Sequence, residues 1–180
     1  MGTRSLLVTL VLLLLVAAAG YYRFMPHRLA HAPDISLLSV DGEELRLPAY
    51  RGRPLLVTFW STTCPSCVRE IPHLIDLYRE LAPRGLEIIG IATAQDPPDQ
   101  VLAMRKSRDM PYPVTLDMHG DAAHAFGDVR VTPTSFLIAP DGRIVRYRIG
   151  RLDMTGLRRE ILAMIAQQEA PTAKPAITAP

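Results

Sequence analysis

Phe59-Trp60-Ser61-Thr62-Thr63-Cys64-Pro65-Ser66-Cys67-Val68-Arg69-Glu70-Ile71-Pro72 holds both cysteines of the 180-residue chain, two residues apart. An apolar run, Leu55 to Trp60, leads into it. Ile71, Leu74, Ile75, Tyr78 and Leu81 follow at helical spacing. The pair is therefore expected where a buried strand ends and a helix begins. Pro65 fits the first helical turn, where its fixed φ is favourable and no N–H is missed. Cys64 then falls at the helix N-terminus, where free N–H groups and the helix dipole favour a thiolate. A free thiol has a pKa of roughly 8.5, and such a position lowers it. Cys67 falls one turn in, on the apolar face. One sulfur is predicted to be exposed and nucleophilic, the other shielded and able to resolve a mixed disulfide.

Working outward, the composition narrows the chemistry. Twenty basic and 18 acidic residues give a formal charge of +2. With no concentrated basic face, nothing points to nucleic acid. Two cysteines cannot build a multi-disulfide scaffold, and without suitably spaced histidines they cannot close a four-ligand zinc site. A Cys-x-x-Cys disulfide closes a tiny loop and adds little stability, so its value is expected to be redox chemistry rather than bracing.

Four regions are expected. Residues 1–23 hold Arg4, an apolar run from Leu6 to Ala19, and Tyr21-Tyr22 before Arg23. This reads as a signal-anchor or transmembrane segment, with cleavage after Ala17-Ala18-Ala19 as the alternative. Residues 24–33 read as a linker and 34–168 as one α/β domain. Residues 169–180, rich in Pro, Ala and Thr, read as a disordered tail. Within the domain, strands are predicted at Ile35–Val40, Glu44–Leu47, Leu55–Trp60, Leu86–Ala92, Tyr112–Leu116, Thr134–Ala139 and Arg143–Ile149. Pro48–Pro54 reads as a polar loop. Helices are predicted to about Ala82 after the cysteines, with a kink at Pro72, and then over 97–108, 121–126 and 153–167.

Taken together, Phe59-Trp60, Cys64-Pro65-Ser66-Cys67, Glu70-Ile71-Pro72, Val131-Thr132-Pro133-Thr134-Ser135-Phe136-Leu137-Ile138, Asp141-Gly142-Arg143-Ile144 and Gly150 resemble the thioredoxin superfamily. The resemblance narrows to TlpA/ResA-like membrane-anchored thiol–disulfide oxidoreductases and spans about residues 33–168. It implies a thioredoxin-like fold: a central mixed sheet flanked by helices, with an N-terminal β-hairpin and a helical insert near 97–108. It implies Cys64 as nucleophile and Cys67 as resolving thiol, together forming the redox-active disulfide. Pro133 is implied as a cis-proline facing that disulfide, and the Thr132 backbone as a pairing edge for a substrate strand. Trp60 and Pro65 complete the implied substrate-binding set. No metal or organic cofactor is implied. The implied partners are protein disulfides or thiols and a membrane thiol electron donor. A reductant is implied, serving for example cytochrome c maturation or repair of oxidised partners, as a monomer with its domain in the periplasm of a bacterial inner-membrane protein.

Two positions depart from the thioredoxin pattern. Thr63 stands where a Trp usually precedes the first cysteine, and Thr58 stands where a buried Asp is usual. The missing acid directs attention to Glu70 as a base for Cys67, against the plainer reading of a solvated helix glutamate. Three other classes stay open, one of them a binding module of the thioredoxin fold whose cysteines are idle. A peroxiredoxin needs Pro-x-x-x-Thr-x-x-Cys, and Val57 and Ser61 occupy those places. A Sco-like copper metallochaperone uses two thiolates and an imidazole. Here the cysteine spacing differs, and only His119 and His124 are candidates, both read as surface residues of a short helix. His73 is read as solvent-facing.

Overall fold

In the computed structural model, residues 12–14 and 30–169 are described. The expected membrane segment, apart from residues 12–14, and the expected tail after Glu169 lie outside them. Among the described residues no helix is long and apolar enough to cross a membrane.

Leu55–Trp60 forms β3, buried at every position. A strand with no polar face needs cover on both sides, and it receives it. β3 pairs in parallel with β4 (Glu87–Ala92), which pairs in parallel with β5 (Val114–Leu116). On its other side β3 pairs antiparallel with β6 (Thr134–Ile138), and β6 with β7 (Ile144–Ile149). The order β5-β4-β3-β6-β7 makes the mixed sheet that the resemblance implies. A separate antiparallel hairpin, β1 (Ser36–Leu38) with β2 (Glu44–Arg46), turns at Asp41-Gly42. Four helices complete the domain: α1 (Pro65–Leu81), α2 (Pro98–Ser107), α3 (Asp121–Ala125) and α4 (Met154–Glu169).

Side chains alternate along β3 and split the core in two. Leu56 and Trp60 join Ile71, Leu74 and Leu77 of α1 and Leu157 and Ile161 of α4. Leu55, Val57 and Phe59 join Phe126, Phe136 and the β1–β2 hairpin. Phe59 meets Phe126 and Phe136 edge-on, with ring centroids 5.4 and 6.1 Å away.

Several boundaries differ from the sequence reading for local reasons. Pro48 does not begin a plain loop: Leu47–Tyr50 winds into one 3-10 turn that buries Leu47. β5 starts at Val114 rather than Tyr112, since Pro113 brings no N–H to the ladder and only its carbonyl bonds, to Gly90 N–H. Tyr112 packs into the core instead. Arg143 is drawn into the turn by Asp141, whose carboxylate accepts its backbone N–H. A bulge at Leu137/Ile138 sets the register of β6 and β7. Ile144 and Tyr147 lie opposite Ile138 and Phe136. Pro72 lies inside α1, which runs on to Leu81.

Parallel strands bring their carboxyl ends to one edge of the sheet. Trp60 of β3, Ala92 of β4 and Leu116 of β5 are in register there. β6 runs the other way, so its first residues, after Pro133, arrive at the same edge. Cys64 and Thr132, 68 residues apart in sequence, are thus placed together.

Candidate active site

Cys64 caps α1 from an extended backbone conformation, and its Sγ accepts the Cys67 N–H at 3.2 Å. Ser66 Oγ stands 3.2 Å from the same sulfur. Cys64 and Cys67 are joined in a disulfide, with Cα atoms 5.3 Å apart. Their surroundings are unequal. Cys67 is 2% exposed and packs with Trp60, Ile71 and Tyr112. Cys64 is half-buried and Pro65 is exposed. The sulfur that a partner can reach is therefore that of Cys64, and it is also the one at the helix N-terminus.

Thr132-Pro133 is a cis peptide. The Thr132 carbonyl oxygen lies 3.6 Å from Cys64 Sγ, and Thr132 is half-buried while Pro133 is buried. The Pro133 carbonyl accepts the Gly150 N–H at 2.8 Å. This ties the segment after β7 to the site.

Trp60 does not line the surface. It is 3% exposed, with its indole lying against Gly90 and Tyr112 and its Nε1–H without an acceptor. The expected substrate-binding role is corrected on that ground: a side chain this enclosed has no face to offer a protein. Gly90 leaves the indole its room, since a Cβ there would stand 3.2 Å from Nε1.

Glu70 is not a solvated helix residue either. It is 4% exposed, and its Oε1 accepts the Leu152 N–H at 2.7 Å. Burial raises its pKa above the ordinary carboxylate value, and the Leu152 N–H, Arg151 and His73 offset only part of that. It stands one helical turn after Cys67. At the position of the usual buried acid, Thr58 Oγ1 bonds Ser135 Oγ across β3 and β6 at 2.9 Å. Neither hydroxyl acts as a proton acceptor at neutral pH, and Glu70 is the buried carboxyl on that turn of α1.

Asp96 belongs to the site and escaped the sequence reading, which singled out no residue just before the helix predicted over 97–108. It is 5% exposed. One carboxylate oxygen accepts Ser61 Oγ–H at 3.0 Å, Thr62 N–H at 2.7 Å and the Thr62 hydroxyl. The other accepts the Thr93 hydroxyl at 2.8 Å. Burial pushes its pKa up, but the Thr62, Thr93 and Ser61 donors outweigh it and hold the group below the ordinary value. Ser61 O in turn accepts the Cys64 N–H at 3.2 Å. The signal available beforehand was Ser61-Thr62-Thr63, three hydroxyls in a turn whose buried end needs an acceptor.

His73, His119 and His124 are exposed, and His124 Nδ1 pairs with Asp128 at 2.8 Å. Among the described residues no three His, Cys, Asp or Glu side chains converge as metal ligands do. Val57 is fully buried under the far face of β3, and Ser61 Oγ is committed to Asp96. Neither can act as the Pro and Thr of a peroxidatic turn.

The AhpC/TSA family matches residues 29–147. The thiol-disulfide oxidoreductase ResA of Geobacillus thermodenitrificans is 30% identical over 166 residues, covering 88% of this chain and 94% of that protein. The chain belongs to the AhpC/TSA family, among the ResA-type thiol–disulfide oxidoreductases. Solved structures agree. A thioredoxin-family thiol:disulfide interchange protein from Chlorobium tepidum is similar at a TM-score of 0.70 and 27% identity, covering 77% of this chain and 97% of that one. A structure described as a putative thioredoxin from Neisseria meningitidis is similar at 0.70 and 29%, covering 79% and 93%. Thiol–disulfide exchange is the activity of this family, and the cysteine pair is the group in the described structure able to perform it.

Proposed function

We propose that this ResA-type oxidoreductase reduces protein disulfides in the cell envelope, with Cys64 as nucleophile and Cys67 as resolving thiol. The observation that carries the division of labour is the inequality of the two sulfurs, one half-buried at a helix N-terminus and the other 2% exposed. In the reduced protein the Cys64 thiolate attacks one partner sulfur. The partner S–S bond breaks, a Cys64–partner bond forms, and the second partner sulfur leaves as a thiolate and takes up a proton. Cys67 loses its proton, attacks Cys64 Sγ and releases the partner as a dithiol. Two electrons have moved to the partner, and the Cys64–Cys67 disulfide remains.

Glu70 is the proposed acceptor of the Cys67 proton, directly or through one water. A carboxyl with a raised pKa is suited to a base working near neutrality. Thr132 offers backbone for an added substrate strand, Pro133 shapes that edge, and Pro65 and Ser66 border the reachable sulfur. Trp60 acts by packing beside Cys67 and keeping water from it.

The domain arrangement is part of the same reading: residues 1–23 as anchor, 24–33 as linker, 34–168 as the catalytic domain and 169–180 as tail. The catalytic domain is placed in the periplasm, as a monomer fed by a membrane thiol donor. The sequence supports this through its apolar leader, and the fold is compatible with it. Ala30 O and Ala32 N bond Ile144 N and Gly142 O at the β6–β7 turn. The chain thus enters at the end of the sheet opposite Cys64, which leaves the sulfur facing away from the tether.

The test is the reduction of insulin by the reduced full chain, with the potential fixed by glutathione buffers. The reading predicts turnover that disappears in Cys64→Ser and Cys67→Ser, and a potential more reducing than glutathione. A chain that is reduced by glutathione at equal concentrations but cannot cleave insulin would overturn the reductant assignment.

A further inference from the structure

Around the reachable sulfur the surface is unequally charged. Arg148 lies opposite Ser135 in the β6–β7 register, one residue before Ile149. Its Nε donates to the Arg151 carbonyl at 3.3 Å, which leaves its two terminal nitrogens free. Arg148 and Arg151 are both exposed, and Gly150 between them is tied to the Pro133 carbonyl. The next residue, Leu152, is tied to Glu70. The arginine-bearing segment is therefore anchored at two points, beside the cis-proline and beside the cysteine helix.

Two of the nearby carboxylates, Glu160 and Asp128, are engaged elsewhere, and Asp153 is exposed. Asp153 lies over Gly156 and near Arg146, Arg146 itself is paired with Glu160, and Asp128 is paired with His124. Glu70 is buried. Two large apolar side chains flank the Thr132-Pro133 edge in the open, Val131 at 51% and Ile149 at 53% exposed. Exposed guanidinium groups beside this edge are suited to an extended chain that carries carboxylates.

We propose that Arg148 and Arg151, on the turn tied to Pro133 and Glu70, form a docking surface for an extended partner segment whose disulfide cysteine is flanked by acidic side chains. The proposal rests on the oxidoreductase reading and narrows its substrate class. A substrate strand laid on the Thr132 backbone brings the residues beside its cysteine over the Gly150 turn. There the guanidinium groups meet their carboxylates and draw the encounter toward Cys64.

The experiment uses two synthetic peptides with one internal disulfide, identical except that the flanking residues are Asp and Glu in one and Lys in the other. Rates with the reduced full chain are each divided by the rate of dithiothreitol with the same peptide, which removes intrinsic differences in reactivity. The proposal predicts an acidic-to-basic ratio of about tenfold or more at low salt. The ratio should shrink toward one at about 0.5 M salt, where screening is strong. In Arg148→Gln/Arg151→Gln it should fall toward one at low salt, and in Arg148→Lys/Arg151→Lys it should be largely kept. A ratio near one in the parent chain, or one that survives both glutamine substitutions, overturns the proposal. A neutral small disulfide, hydroxyethyl disulfide, separates the two levels. If it is reduced while the peptides are not distinguished, only the docking surface falls; if it is not reduced either, the oxidoreductase reading falls with it.

Discussion

Asp96 has no reactive atom, and the loop that presents Cys64 hangs on its carboxylate. Four donors from Ser61, Thr62 and Thr93 converge on a group that is nearly enclosed. Hydrogen bonds to a charged group are worth about 1.5–3 kcal/mol each in favourable settings, and leaving buried donors unmatched costs about 1–3. Asp96→Asn keeps one acceptor and removes the charge. It is expected to lower stability by about 1–3 kcal/mol, measured by urea unfolding of the oxidised protein. Removing the negative charge that holds Thr62, two residues before Cys64, also eases the ionisation of that cysteine. The pH midpoint for alkylation of Cys64 in the reduced protein should therefore move down, an effect that loss of stability alone does not produce.

Glu70 carries the opposite linkage. Its folded pKa lies above the unfolded value, so the protonated form favours folding. That contribution is present at low pH and is lost as pH rises through the folded value. Glu70→Gln stays neutral throughout and can still accept the Leu152 N–H. Its stability relative to the parent should increase from pH 4 to pH 8, read as a difference in urea midpoints. Stopped-flow resolution of a Cys64 mixed disulfide should be slower in the same variant, most of all near neutral pH. Asp96 behaves in the reverse sense. Its depressed pKa gives stability that is present above the ordinary carboxylate range and lost as pH falls through the folded value.

At the scale of elements, β3 and β6 meet through a polar pair within an otherwise apolar stretch. Thr58 and Ser135 face each other in register and bond at 2.9 Å, and both are buried. Thr58→Val removes one partner and should cost about 1–3 kcal/mol, because the Ser135 hydroxyl is left without its bond. Adding Ser135→Ala should recover much of that loss. A double-mutant cycle in urea with a coupling of about 0.5 kcal/mol or more confirms the pair, and strict additivity contradicts it. The elements were readable in the sequence where periodicity was strong. β3 is a six-residue apolar run, and α1 carries Ile71, Leu74, Ile75 and Leu81 inward. Turns at Asp41-Gly42 and Asp141-Gly142 were marked by residue type. The bulge in the β6–β7 pair was not, since it shows only when two strands are laid side by side. The Leu47–Tyr50 turn was hidden because a single buried Leu gives no period.

For the whole molecule, the site is made by topology. A parallel strand and an antiparallel one deliver Cys64 and Pro133 to one edge of the sheet, and the segment after β7 is tied to Pro133 and to Glu70. The cysteines, the helix start and Pro133 were legible because their chemistry is local to each motif. Asp96 and the Thr58–Ser135 pair were not, because each depends on a contact between segments distant in sequence. The burial of Trp60 was half legible. Its place beside the turn followed from adjacency, while its lack of a surface followed only from Gly90 and Tyr112 closing around it. The sequence likewise left Glu70 balanced between solvent and site, and packing against Leu152 decides that it is enclosed.

The central claim is that Cys64 attacks and Cys67 resolves. The most direct measurement is capture of the covalent intermediate with a disulfide-containing protein substrate, mapped by mass spectrometry of non-reduced peptides. Cys67→Ala should accumulate a mixed disulfide through Cys64, since the buried thiol that would release it is gone. Cys64→Ala should accumulate none, because a sulfur 2% exposed cannot be reached by a protein. Equal capture by the two variants, or capture through Cys67 alone, would contradict the account.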